Sequence, residues 1–413
     1  MAMFKLLHPF SIAPATYRLI SLFWICLTAA FLPLYVPITN LLLGLWLLSI
    51  LLFRTNIRRP KQSSIYLWIC VLLYLGNTAG LLITTDVDNG LFNLRQKLPL
   101  LLFPFLFFFN PVENKDRKWL ALFFVIGSLL RCGITLNNGF EKFMETGDRR
   151  FFYYEHFSTP LHPAYLSMLL CIGICSAVYL WSFASAKWKK ALLIFCMILF
   201  TTMIIMLQAK ATLLFGGLLL IYCLYRLIRS GKWNYAFVIT GTVILIFTGV
   251  QKFVLEPGTS RVANAMSNVA NADDDISKTE DSSLIRILIW KCAAAVLPDL
   301  WLTGTGSGDV RHALKKQYRE RGIVTAEMHS LNAHNQFLQV LLGGGIFGLF
   351  LMMCYLGIPA LKTWQRADYF LIAVVYILIS NMLVESTLEA QWGISVTGFF
   401  CGLAARMNFE DNG

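Results

Sequence analysis

The stretch His334-Asn335-Gln336-Phe337-Leu338-Gln339-Val340-Leu341-Leu342-Gly343-Gly344-Gly345-Ile346-Phe347-Gly348 places an imidazole where a polar segment runs into a long apolar one. Imidazole is the side chain best suited to move a proton near neutral pH, and at the mouth of an apolar helix a polar substrate can reach it. Gly345 and Gly348 lie about one helical turn apart, a spacing that lets neighbouring helices approach closely. From these residues alone, the alternative is an interfacial histidine above a glycine packing stripe. A second polar group, Leu161-His162-Pro163-Ala164-Tyr165, opens another apolar stretch and follows Arg149, Arg150, Tyr153, Tyr154 and His156. Proline at a helix start is ordinary, but aromatics, histidines and paired arginines together can also wall a sugar site. Glu385 and Glu389 are four apart at the end of an apolar stretch and are expected on one helical face. They would either bind an acceptor or mark the membrane edge.

Other polar groups argue against metal or nucleotide chemistry. Thr303-Gly304-Thr305-Gly306-Ser307-Gly308 lacks the Gly-Lys-Ser/Thr of a nucleotide P-loop, so it reads as a plain turn or as backbone amides beside a phosphate. Asp273, Asp274 and Asp275 have no alternating strand and helix pattern around them and read as a solvated charge run. His312 and His329 lack partners at ligand spacing and read as loop residues. Cys171 and Cys175 are spaced for one face of an apolar helix, without other ligands nearby, and read as small packing residues. No metal site and no cofactor are expected.

The elements that must position these residues follow from composition. The chain has 413 residues, 57% of them hydrophobic and 14% charged, with a net charge of +12. A soluble domain carries roughly 25% charged residues, so this chain cannot cover a core of its own size with charge. Lipid must be part of its solvent, and the low charge density excludes a disordered or nucleic-acid-coating protein; no nucleic acid partner is expected. A span needs roughly 20 apolar residues. Twelve spans are expected near 18–34, 37–53, 65–84, 91–110, 119–136, 161–182, 191–207, 211–228, 234–254, 335–357, 369–385 and 391–407. The fourth, with Pro99 and Pro104, is expected to be kinked or partly re-entrant. The first apolar stretch, Leu19 to Phe53, is too long for the core of a removable signal and reads as two spans.

Lysine and arginine bias then orients the chain. With both termini inside, the inner segments hold 18 of the 35 basic residues and the short outer loops and span ends hold seven. The other ten fall between residues 252 and 321, in a long segment that this bias does not govern. Three regions result: spans one to nine over 1–254, an outward segment over 255–333, and spans ten to twelve over 334–413. Within the outward segment, Leu284, Ile285, Leu288, Cys292, Ala295 and Val296 recur at helical spacing, with Arg286 and Lys291 off the stripe. This reads as an amphipathic helix lying on the membrane or capping the bundle.

His334, Asn335, the nine residues 336–344, Gly345 and Gly348 together resemble the signature of the O-antigen ligase superfamily. The landmarks around them are similar as well: twelve spans, cytoplasmic ends and a large outer loop directly before the motif. The resemblance implies an all-α polytopic fold of the GT-C-like glycosyltransferase kind in the bacterial inner membrane, with the site facing the periplasm. It implies His334 as catalytic, Asn335 as supporting, and Gly345 and Gly348 as structural. It also implies two cations on the diphosphate of a polyprenyl-linked glycan, and these map onto Arg286 and Lys210. At position 210 the family has arginine; lysine keeps the charge but not the planar two-pronged geometry. Arg149, Arg150, His162 and Glu385 are candidate supporting residues.

The implied partners are an undecaprenyl diphosphate-linked glycan, a lipid A-core acceptor and membrane lipids, and the implied transfer is inverting and metal-independent. O-antigen polymerases and protein O-oligosaccharyltransferases share the donor side of this chemistry and remain alternatives. A transporter or flippase would predict inverted repeats and midplane charges. Instead, no repeat is evident and charge concentrates at the outer face.

Overall fold

In the computed structural model of the protein, residues 12–53, 65–110, 112–253 and 282–406 are described. Every regular element among them is helical. The first ten helices are α1 (Pro14–Phe31), α2 (Val36–Leu52), α3 (Ile65–Ala79), α4 (Val87–Phe109), α5 (Arg117–Thr146), the short α6 (Tyr154–Ser158), α7 (Pro163–Trp181), α8 (Lys187–Leu207), α9 (Lys210–Arg229) and α10 (Trp233–Phe253). Then come α11 (Ser282–Leu300), α12 (Val310–Glu320), α13 (Val324–Met328), α14 (Gln336–Gln365), α15 (Tyr369–Met382) and α16 (Gln391–Arg406). Among the described residues, nine helical stretches are long and apolar enough to cross a membrane by length and composition, and α2 and α15 are shorter apolar helices. The protein is therefore a polytopic membrane protein.

The centre of the bundle is α16, in which every residue from Gly393 to Ala405 is buried. Between apolar helices in lipid there is little hydrophobic drive, so close packing must hold them together. Here α4 supplies it. A Cβ at Gly398 would fall 2.7 Å from the Pro99 carbonyl oxygen, and one at Gly402 would lie 3.0 Å from Pro104. The fourth span, expected to be kinked or partly re-entrant, is a continuous helix over Val87–Phe109 rather than a re-entrant one; it carries both prolines inside and presses them against α16. Phe103 and Phe107 meet Phe399 edge-on, with ring centroids 5.6 and 5.1 Å apart.

The described residues between α10 and α14 form a small unit of their own. Ile285, Ile289 and Cys292 of α11 pack with Leu314 and Tyr318 of α12, and Leu342 of α14 closes the cluster. So α11 caps the bundle, with its buried face along 285, 289 and 292–293; Ala295, expected on that face, is exposed. The unit is latched to the segment between α3 and α4. Asp309 accepts from the backbone N–H of Thr85 (2.6 Å) and Asp86 (3.0 Å) and from the Thr85 hydroxyl (3.1 Å). His312, expected in a loop, lies on α12 with Nδ1 3.7 Å from Asp309.

A second attachment runs to α14. That helix breaks at Gly345, where φ is 62° and ψ is −166°, a combination open in practice only to glycine. At the break, Ile346 N–H donates to the Trp301 carbonyl (2.8 Å), while the Leu342 and Gly343 carbonyls accept from Thr305 N–H (2.8 Å) and Gly306 N–H (3.0 Å). The glycine-rich turn therefore spends these amides on α14, and Gly308 N–H goes to the Thr84 hydroxyl. The phosphate-binding reading of that turn is not supported. Gly345 serves a backbone break against the turn rather than a helix crossing. Gly348 has only Val340, of its own helix, near the position of an added Cβ, at 3.6 Å.

Candidate active site

The tenth expected span begins with a knot of polar contacts. Its approach is held by Trp290 Nε1, which donates to the Ala333 carbonyl (3.0 Å), and by Gln339 Oε1, which accepts from Ala333 N–H (3.1 Å). His334 then takes a left-handed backbone conformation, φ 44°, with its N–H on Asn332 Oδ1 at 3.0 Å. Asn335 caps α14 by accepting from Leu338 N–H (3.0 Å) and donates from Nδ2 to the Leu383 carbonyl (2.9 Å). Gln336 Oε1 accepts from Leu388 N–H. These two side chains tie the start of α14 to the turn that follows α15.

That turn carries Glu385, which is 5% exposed. Its Oε2 lies 3.1 Å from His334 Nδ1, and its Oε1 accepts from an Arg286 Nη of α11. Burial opposes ionisation of Glu385, but the hydrogen bond with His334 and the charges of Arg286, His334 and His162 outweigh it and hold the carboxyl down at about 2. His162, half-buried, caps α7 through Nδ1, which accepts from Ala164 N–H at 3.3 Å. Its burial lowers its proton affinity, partly countered by the Glu385 and Glu155 charges. Lys210, the first residue of α9, donates to the Ser283 hydroxyl of α11 at 3.0 Å.

Tyr154, His162, Gln208, Lys210, Arg286 and Glu385 line a single small pocket. A second, largely apolar crevice lies between α7, α9 and α15, lined by Met168, Cys171, Phe215 and Ile377, and shares Ala211 with the first. Of the five non-glycine residues with positive φ among the described residues, Tyr154 and Gln208 line the pocket and His334 borders it through Glu385. Strained backbone persists where its surroundings over-determine it, and it concentrates at functional sites.

The tertiary structure thus brings His334, Arg286, Lys210, His162, Asn335 and Glu385 together. It leaves Arg149 and Arg150 out of the pocket lining: both are exposed on a short 3-10 turn, and Arg150 pairs with Asp148 at 2.7 Å. The two glutamates do not share a helical face, because α15 ends at Met382. Glu389 sits on a later 3-10 turn, 3.7 Å from Lys97. Asp273, Asp274 and Asp275 lie outside the described residues. Tyr154, grouped in the sequence with a candidate site wall, does line the pocket, whereas sequence reading missed Gln208 as pocket lining, Ser283 as the Lys210 partner, and Gln336 and Gln339 as supports. Two glutamines three apart at the start of an apolar span were a usable signal, since buried amides must be paired.

The fold and the pocket define a membrane protein that gathers cations, histidines and one carboxylate at helix ends above an apolar cavity. Residues 195–353, which contain Lys210, Arg286 and the whole His334–Gly348 motif, match the family model for O-antigen ligase. Over that part of the chain, the match supports a relation to the O-antigen ligase superfamily. No curated protein matches the chain.

Proposed function

We propose that the protein is an O-antigen ligase, a GT-C-like glycosyltransferase that moves a polysaccharide from undecaprenyl diphosphate to lipid A-core oligosaccharide. In this reading it crosses the bacterial inner membrane twelve times with both termini in the cytoplasm, and the pocket faces the periplasm. The observation that carries the reading is that Arg286 and Lys210 line one pocket whose carboxylate, Glu385, holds His334, with an apolar crevice adjoining at Ala211. The diphosphate would lie against Arg286 and Lys210, with the first isoprene units running along the apolar crevice between α7, α9 and α15.

An acceptor hydroxyl gives its proton to His334 as its oxygen bonds to the anomeric carbon. The bond from that carbon to the diphosphate oxygen breaks, and the electron pair leaves with undecaprenyl diphosphate. Attack opposite the leaving group inverts the anomeric centre. Two cations on the leaving group supply charge stabilisation in a dry site, where one such contact is worth about 3–4 kcal/mol. The transfer therefore asks for no nucleotide and no divalent ion.

The test is His334→Ala in reconstituted vesicles. Transfer should be abolished while undecaprenyl diphosphate still binds; turnover like the wild type would overturn the reading. The lipopolysaccharide profile of a deletion strain separates the related activities. Loss of long chains with accumulated lipid-linked glycan marks ligation, and a single repeat capping the core marks polymerisation.

A further inference from the structure

Glu385 is the one carboxylate among the residues lining the pocket, and it lies between the proton acceptor and a cation of the proposed transfer. Each of its oxygens is committed to a different group: Oε2 to His334 Nδ1 and Oε1 to Arg286. An ionised carboxylate only accepts hydrogen bonds, so the imidazole proton of the contact must sit on Nδ1. A neutral imidazole protonated there offers its lone pair at Nε2. The same carboxylate also places a negative charge in a pocket that has to receive a negatively charged diphosphate, and it occupies a guanidinium that the diphosphate needs.

Resting on the transfer reading, we propose that Glu385 is the positioning residue of the site: it fixes His334 with Nε2 toward the acceptor, and it yields Arg286 to the donor diphosphate. The groups that face it are Arg286 from α11, His334 from the start of α14 and His162 from the start of α7, with Lys210 of α9 across the pocket. Removing its charge then has opposite effects on two steps. Donor binding gains, because repulsion falls and Arg286 is released. Turnover loses, because the base is no longer held. A residue that merely supported the fold would weaken both.

The experiment compares Glu385→Gln with the wild type as full-length protein in vesicles, reading kcat, and in detergent, reading the affinity for undecaprenyl diphosphate. Glutamine keeps the volume, but its single accepting oxygen serves only one of the two donors. The expected result is a kcat lower by about 100-fold or more, with donor affinity equal or tighter, and partial rescue of kcat in Glu385→Asp. Turnover like the wild type, or loss of donor affinity together with kcat, overturns the proposal. A second measurement does not depend on the variant folding. The protein has six histidines, so 15N labelling of the wild type at about pH 8.5, above the ordinary imidazole range, reads the His334 tautomer directly. Protonation on Nδ1 is expected, and protonation on Nε2 overturns the proposal. An inactive His334→Ala beside a fully active Glu385→Gln would sink this inference alone, whereas a fully active His334→Ala would sink the transfer reading beneath it.

Discussion

Gly345 and Gly348 look equivalent in the sequence, yet alanine at the two positions should have very different consequences. At Gly345 an added Cβ would lie 2.1 Å from the Leu302 carbonyl oxygen, and the backbone sits at φ 62° and ψ −166°. Holding alanine there costs about 1–3 kcal/mol in backbone strain. Relieving the clash means separating α14 from the 302–306 turn, which breaks the three backbone hydrogen bonds made by Ile346, Thr305 and Gly306. At about 0.5–1.5 kcal/mol each, the total with the strain reaches about 2.5–7.5 kcal/mol. The site feels the same break, because Trp301 follows the helix that carries Arg286 and Ile346 continues the helix that His334 opens. Gly348→Ala meets nothing closer than Val340 at 3.6 Å, and it should stay neutral or gain up to about 1 kcal/mol of helix propensity. Thermal unfolding of the detergent-purified variants, monitored by fluorescence and paired with transfer assays, reads the difference. If Gly345→Ala melts and turns over like Gly348→Ala, the break in α14 does not hold the site and the reasoning fails.

Contacts at the pocket and the latch set the remaining outcomes. Lys210→Arg should be tolerated or faster, since it keeps the cation and adds two-pronged donation. Lys210→Ala should lose about 3 kcal/mol of transition-state stabilisation and leave unreacted donor in the membrane, and Arg286→Lys should be damaging. A wild-type rate for Lys210→Ala in vesicles would reduce Lys210 to an interfacial residue. Asp309→Ala removes three accepted hydrogen bonds and should cost about 2–4 kcal/mol, read as a lower melting midpoint and as protease cleavage near 303–309. Burial works against ionisation of Asp309, but the bonds from Thr85 and Asp86 outweigh it and hold the carboxyl below its ordinary value of 3.8. With the folded value depressed, this latch is at full strength above pH 3.8 and weakens as pH falls through the folded value. The acid-side fall in melting midpoint should therefore be smaller in Asp309→Ala.

Much of the architecture was legible in the chain itself. Low charge and apolar runs of bilayer length specify helices, because backbone groups in lipid must pair within their own segment. The regular elements follow, and a helix lies over each expected span. His334 announced itself by standing where a polar segment meets an apolar helix, and the residues after it carried the family resemblance. Which residues His334 would meet was not legible. Its carboxylate partner lies 51 positions later, and the guanidinium that shares that carboxylate lies 99 positions from it. The four-residue spacing of Glu385 and Glu389 implied a common face, but Asn335 and Gln336 bind the Leu383 carbonyl and the Leu388 N–H, in the turn that begins just past the end of α15. The glycine-rich turn looked free to hold phosphate until α14 broke against it. Hydropathy and helix spacing are local quantities, so the sequence alone determined the helices and the membrane. The partners of charges and backbone amides at helix ends depend on which ends the packing of α4 against α16 and of α11 against α14 brings together. Only the tertiary structure decides that.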